Sequence, residues 1–525
     1  MSTVIITGDP LTAAEVIDVA HRRATVEVGP DVATRMEGAR RIVAGVVARG
    51  ETVYGVTTGF GALASTRVEP EMSAAMQVSL LRSHAAGVGP SLPDELVRAM
   101  LLLRARTLAQ GHSGVRVEVV QRLVDMLRHD LLPVVPSQGS VGASGDLAPF
   151  AHLALPVIGE GTVRVSGVET PAADALRKVG LAPLVLEPKE GLSLLNGTEG
   201  MLAMLVLALD RARRLVRIAD LAAALSIEAL LGSERPFAAE VHALRPHPGQ
   251  IESARRIRTA LAGSAIVASH RDDFDHAVQD AYSLRCAPQV HGAAADVLTF
   301  ADEVAARELG SMVDNPIVFP ETGEVVSAGN FHGEPLAFAL DFIAIAVSEV
   351  ASISERRTDR ILDPVRSAGL PPFLAARPGL DSGYMIAQYT AAALVAENRV
   401  LSHPASVDSI PTSGLQEDHV SMGWGAGRKL NSILDNAVRV VAVELLCAAE
   451  GVDKRAPLLP GAGTAAVHAA VRVVVPPLEH DRPPGPSIEV IAALIDSGGL
   501  DFPEVRETDV TAIAAMIDEG GPVAG

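Results

Sequence analysis

The rhythm of apolar positions changes along the chain. Up to about residue 200 the apolar residues come in short runs between polar breaks. Val4–Thr7 and Thr25–Val28 read as short strands. Pro30 and Asp31 open a predicted helix through Val47, with proline near the first turn and a carboxylate facing the positive helix end. Gly159–Gly167 (GEGTVRVSG) predicts a small hairpin. Beyond residue 200 the breaks thin out. Met201–Leu231 runs without Gly or Pro, and Leu336–Arg357, Met385–Ser402 and Lys429–Ala449 look similar. In the last of these, Leu430, Ile433, Leu434, Ala437, Val440 and Val441 recur at spacings of three and four. Leu336–Val347 is apolar on more than one face, which implies a multi-layer bundle or an oligomer. The expected fold is mainly α: a long-helix bundle over 201–525, preceded by a smaller mixed region over 1–200. Length alone suggests about three domains. With no linker or repeat, one continuous fold is expected.

Composition narrows the classes. The chain has 525 residues, 44 Lys+Arg against 63 Asp+Glu, and a net charge of −19. Acidity of this size excludes a basic face for nucleic acid. The 48% apolar content excludes disorder, and the 3% aromatic content favours aliphatic helices over an aromatic-rich sandwich. Two cysteines, Cys286 and Cys447, cannot build a disulfide framework or a cysteine zinc site. Met1–Pro10 lacks the features of a signal peptide. Met201–Leu209, taken as the longest apolar run, falls short of the roughly 20 residues that span a bilayer. A cytosolic protein without membrane or nucleic-acid partners is expected.

Candidate chemistry lies in polar, mostly glycine-rich segments between the helices: Tyr54–Gly61 (YGVTTGFG), Ser137–Asp146 (SQGSVGASGD), Asn196–Glu199 (NGTE), Gln279–Cys286 (QDAYSLRC), Gly329–Glu334 (GNFHGE) and Gln416–Met422 (QEDHVSM). No Walker A loop, G-x-S-x-G elbow, HExxH helix or Rossmann fingerprint is present. Gly139, Gly142 and Gly145 could form a phosphate nest, but no Lys or Arg lies nearby. Ala143-Ser144-Gly145 is either a tight turn or a place where a backbone nitrogen closes a ring on a neighbouring carbonyl while Ser144 dehydrates.

The stretch GSVGASGDLAPFAHLAL resembles the self-processing segment of the aromatic amino acid ammonia-lyase family. The likeness continues through YGVTTGFG, RSHAAGVG, LLNGTEG, RPHPGQ, VQDAYSLRCAPQV, DNPIVF, GNFHGEP, SERRTDR and PTSGLQEDHVSMGW, in the family's order over roughly residues 50 to 430. The resemblance implies a mainly α-helical, fumarase–aspartase-like homotetramer. It also implies 4-methylidene-imidazole-5-one (MIO), formed autocatalytically from Ala143, Ser144 and Gly145 within the 1–200 region, with no external cofactor.

By the same resemblance Tyr54 is the base that takes the β-proton, and Asn196 donates to the MIO carbonyl. Arg285 holds the substrate carboxylate, as suits its bidentate fork. Gln279 and Tyr282 are its neighbours in the site, and Phe331 is a wall. Ser83-His84 occupies the selectivity pair, where tyrosine lyases carry His-Leu and phenylalanine lyases Phe-Leu. Glu417 replaces the glutamine usual in aryl lyases. His84 and Glu417 imply an imidazole-bearing substrate, because a phenyl ring would strand both groups at about 1–3 kcal/mol each. The implied reaction is deamination of L-histidine to trans-urocanate and ammonia, the first step of histidine degradation. A tyrosine or phenylalanine lyase, a 2,3-aminomutase and a catalytically silent scaffold are the alternatives. Glu199 departs from the NGTQ found in many members and adds a charge. His152, His332 and His419 are expected to be structural, and no metal site is expected.

Overall fold

The computed structural model describes residues 1–142, 145–271 and 278–501. It is mainly α-helical. The chain folds as two compact units, each assembled from separated stretches of sequence. The first comprises Met1–Leu207, Ala301–Asp341 and Pro404–Arg428, and the second comprises Ala208–Phe300, Phe342–His403 and Lys429–Gly525.

The first unit carries the mixed structure. Strands Ser2–Ile6 and Ala24–Val28 pair in parallel, with Val4 opposite Val26. The crossover between them is helix Ala13–Ala20, opened by a capping box in which Thr12 and Glu15 satisfy each other's backbone donors. Helix Val32–Arg49 buries Met36, Ala39, Val43 and Val46, the three/four spacing of an amphipathic helix. Asp31 is its N-cap residue but makes no side-chain cap bond. The predicted hairpin forms later than expected, as Thr162–Val165 against Val168–Pro171. Ser166 and Gly167 both have positive φ, the turn geometry that suits strand twist. Gly159 and Gly161 therefore precede the hairpin instead of shaping it.

Helix Asp94–Ala109 is buried along nearly its whole length, although it carries three arginines. Each finds an acceptor: Arg98 Nε donates to Val19 O at 2.8 Å, Arg104 Nη2 to Val313 O at 3.2 Å, and Arg106 Nη1 to Ser311 O at 2.6 Å. Buried guanidinium groups persist only when so paired.

The predicted long helices form: Glu199–Ala229, Glu334–Leu362, Met385–Leu401 and Gly423–Asp453. Leu430, Ile433, Leu434, Ala437, Val440 and Val441 are all fully buried. Within the second unit Glu444 lies at the centre of a buried network. It pairs with Arg357 through two hydrogen bonds and accepts from Ser226 Oγ at 2.7 Å and Ser354 Oγ at 2.6 Å. Glu334–Leu362 is apolar and long enough to cross a membrane by length and composition, unlike the Met201–Leu209 run; 67% of its most apolar window is buried, as in a core helix.

Candidate active site

The first unit holds a cavity of about 610 Å3 lined by Tyr54, His84, Asn196 and Glu417, together with apolar side chains such as Met76, Leu192 and Leu195. Four residues far apart in sequence thus face one space.

Tyr54 sits on a turn tied down by polar bonds. Val53 N donates to Thr57 Oγ1 at 2.9 Å, and Thr57 Oγ1 donates to Glu51 O at 2.5 Å. Gly55 has φ +65°, and a Cβ there would lie 2.3 Å from Leu192 Cδ2. Glycine takes this left-handed backbone without strain. The Tyr54 hydroxyl accepts from Gly61 N at 3.2 Å. Burial pushes the Tyr54 pKa up, the Gly61 bond brings it down, and the negative charge of Glu417 raises it again.

His84 ends helix Ser73–His84. Its Nδ1 lies 3.0 Å from both Leu80 O and Ser83 Oγ. Burial lowers the His84 pKa. Glu417 is held by Thr412, whose Oγ1 donates to its carboxylate at 2.6 Å and whose amide donates to Glu417 O at 2.9 Å. Ser413 Oγ in the same turn accepts from Ala62 N at 3.2 Å, joining the Glu417 turn to the Tyr54 loop.

Asn196 is buried. Its Nδ2 donates to Asn315 O at 3.0 Å, and its Oδ1 has no partner. Gly145 forms a parallel bridge with Gly197, and Asp146 N donates to Gly197 O at 2.8 Å. A Cβ on Gly145 would lie 2.1 Å from Gly197 O, so the backbones meet because residue 145 is glycine. The other two residues of the predicted ring-forming tripeptide, Ala143 and Ser144, lie outside the described residues.

Phe331 is half-buried in the turn before helix Glu334–Leu362. Gln279, Tyr282 and Arg285 belong to the second unit. Gln279 is exposed and Tyr282 is 71% exposed. Arg285 stacks over the Tyr282 ring at 4.7 Å, with Nε donating to Asp280 O at 3.0 Å. Cys286, next to Arg285, is half-buried.

Sequence reasoning missed the groups beneath the site. Asp146 is fully buried, accepts from Met201 N at 2.9 Å, and has its pKa pushed up to about 8 by burial. Arg104 donates to both Asn196 O and the Glu199 carboxylate, at 3.1 and 3.0 Å. Trp424 Nε1 donates to Ser137 O at 2.8 Å. Arginines inside the apolar run LLLRARTLA were the available signal, since a charge there must find buried partners.

The sequence model of the aromatic amino acid lyase family matches residues 11–473. A histidine ammonia-lyase of Sorangium cellulosum is 52% identical over 94% of this chain and 97% of its own length. One of Deinococcus radiodurans is 51% identical over 97% of each. Among solved structures, a tyrosine aminomutase of Streptomyces globisporus superposes with a TM-score of 0.90 at 39% identity, covering 95% of this chain and 97% of that one. A histidine ammonia-lyase of Trypanosoma cruzi gives 0.87 at 40% identity, covering 97% and 95%. The chain belongs to the aromatic amino acid lyase family. It is a carbon–nitrogen lyase.

Proposed function

We propose that this lyase deaminates L-histidine non-oxidatively to trans-urocanate and ammonia. The observation that carries the reading is the presence of both His84 and Glu417 on the cavity that Tyr54 and Asn196 line. An imidazole offers an N–H donor to the Glu417 carboxylate and a basic nitrogen to the His84 ring. A phenyl ring offers neither, so both groups would be left unpaired. The histidine ammonia-lyase relatives at 50% identity and above support the same substrate.

The residues present fit an MIO group made from Ala143, Ser144 and Gly145. The Gly145–Gly197 approach gives the tight backbone path such a ring needs, and Asn196 is a buried amide beside it with one oxygen unpartnered. When formed, the group supplies an electrophile that no ordinary side chain provides. Asn196 Nδ2 has a second hydrogen to give to a carbonyl there. Tyr54, braced by Gly61 N–H, removes the β-proton; burial and Glu417 raise its pKa while the Gly61 bond brings it down, so the work calls for a positive or hydrogen-bonding environment. Arg285 holds the substrate carboxylate, with Gln279 and Tyr282 beside it, and Phe331 walls the site. The 71% exposure of Tyr282 supports a site completed by neighbouring copies in a homotetramer. Free Cys286 and Cys447 suit a reducing cytoplasm.

Assaying L-His, L-Phe and L-Tyr side by side tests the substrate. Urocanate and ammonia from L-His are expected. Turnover of L-Tyr without L-His would overturn the reading, and a β-amino acid product would identify an aminomutase. Intact mass tests the prosthetic group: the chain should be lighter than its sequence by two waters, and Ser144→Ala should restore the mass and abolish activity. A full-mass wild-type chain would instead support a silent scaffold.

A further inference from the structure

The Tyr54 hydroxyl accepts from Gly61 N, and the next amide along, Ala62 N, donates to Ser413 Oγ at 3.2 Å. Two successive amides of the short Gly61–Leu63 turn thus reach two side chains from distant segments. Ser413 lies in the turn that carries Glu417. Its neighbour Thr412 donates Oγ1 to the Glu417 carboxylate at 2.6 Å. We propose that Ser413 is a positioning residue for Tyr54: its hydroxyl holds the Gly61–Leu63 turn where the Gly61 amide can brace the phenol oxygen. The proposal rests on the reading of Tyr54 as the base that removes the β-proton.

The contact is close and the backbone behind it is strained. A Cβ on Gly61 would fall onto Ser413 Oγ, so the hydroxyl packs directly against the glycine whose amide reaches Tyr54. Ser413 has φ +51°, followed by Gly414 at +61° and Leu415 at +71°. Residues with side chains disfavour this left-handed conformation and keep it where the surroundings impose it. The turn is closed by Leu415 N donating to Thr412 O at 3.1 Å. Thr412 and Glu417 also exchange backbone bonds, at 2.9 and 3.3 Å. Neighbouring hydroxyls therefore serve different groups: Thr412 the Glu417 carboxylate, Ser413 the Tyr54 loop.

The chemistry gives that contact a purpose. A phenol acts as a base only after losing its proton, and a donated N–H favours the phenolate. The titratable side chains that share the cavity with Tyr54 are His84 and Glu417. Burial and the Glu417 charge both disfavour the phenolate, and the Gly61 bond opposes them. A slack turn weakens that bond and leaves Tyr54 protonated to higher pH. Ser413 acts through the base and not through the ring-binding groups, so its loss falls on turnover and spares substrate binding.

The test joins kinetics to a titration of Tyr54 in the full-length protein. The chain has four tyrosines, so the tyrosinate ultraviolet absorption of a protein minus that of its Tyr54→Phe counterpart isolates one phenol. Ser413→Ala should raise the Tyr54 midpoint and move the acidic limb of log kcat to higher pH. At neutral pH kcat should fall about fivefold, the contribution of one hydrogen bond, with KM unchanged. Ser413→Gly suits the positive φ while removing the hydroxyl, so it should show the same defect at an undiminished melting temperature. It carries the test should Ser413→Ala fail to fold. An unchanged Tyr54 midpoint and kcat in Ser413→Gly, with Tyr54→Phe inactive, overturns the proposal alone, as does a rise in KM at unchanged kcat. Full turnover by Tyr54→Phe would overturn the reading of Tyr54 as the base, and the proposal with it.

Discussion

Lys189 and Asp314 meet at 2.8 Å with neither side chain reachable by water. Ser193 Oγ and Asn315 N donate to the same carboxylate at 3.0 and 2.7 Å. Removing one member of such a pair strands a buried charge, which costs about 3–5 kcal/mol. Asp314→Ala should therefore lower the urea midpoint by that amount of stability; a loss below about 1 kcal/mol would mean that water reaches the pair. Asp146 makes a prediction of opposite character. Its native pKa of about 8 lies above the ordinary 3.8, so the folded protein keeps a proton that the unfolded chain releases. Stability from this group falls as pH rises from about 4 to about 8. Asp146→Asn removes that dependence while keeping an acceptor for Met201 N. The melting temperature of the variant should drop less between pH 5 and pH 8 than that of the wild type; an equal drop would contradict the assignment. Glu199, which departs from the family's glutamine, is explained by Arg104, the buried cation it pairs with. No local spacing links residues 104 and 199, so their pairing could not be read before folding.

The helices were legible wherever periodicity was long. Lys429–Ala449 was expected and forms within Gly423–Asp453, because a face repeated over several turns leaves no competing structure. Shorter elements were less certain. The 159–167 hairpin was displaced because the deciding feature was positive φ at Ser166 and Gly167, and several other glycines nearby offered the same option. The Thr12–Glu15 capping box was present in the sequence as T-x-x-E and overlooked. Thr12→Ala should cost about 1 kcal/mol by removing the side-chain acceptor at the helix start, measured as a shift in denaturation midpoint with unchanged slope. No shift would show that water replaces the cap.

The second unit leaves apolar side chains of a long helix uncovered. Helix Met385–Leu401 keeps Ile386, Tyr389 and Val400 at 56%, 61% and 75% exposure. Apolar side chains on a long helix call for a covering surface, and another copy of the chain is the cover expected of the proposed homotetramer. Light scattering should give four times the 54.6 kDa chain mass; a monomer that retains full activity would exclude a shared site. Residue order alone settled the helical class and, through the blocks that carry the resemblance, the family, because periodicity and compact motifs are local properties. Folding decided which motif residues share a cavity, which arginines are buried and what each pairs with. It also brought His332 and His419, expected to be structural, together beside Glu334. Those are relations between residues separated by up to hundreds of positions, and only tertiary packing sets them.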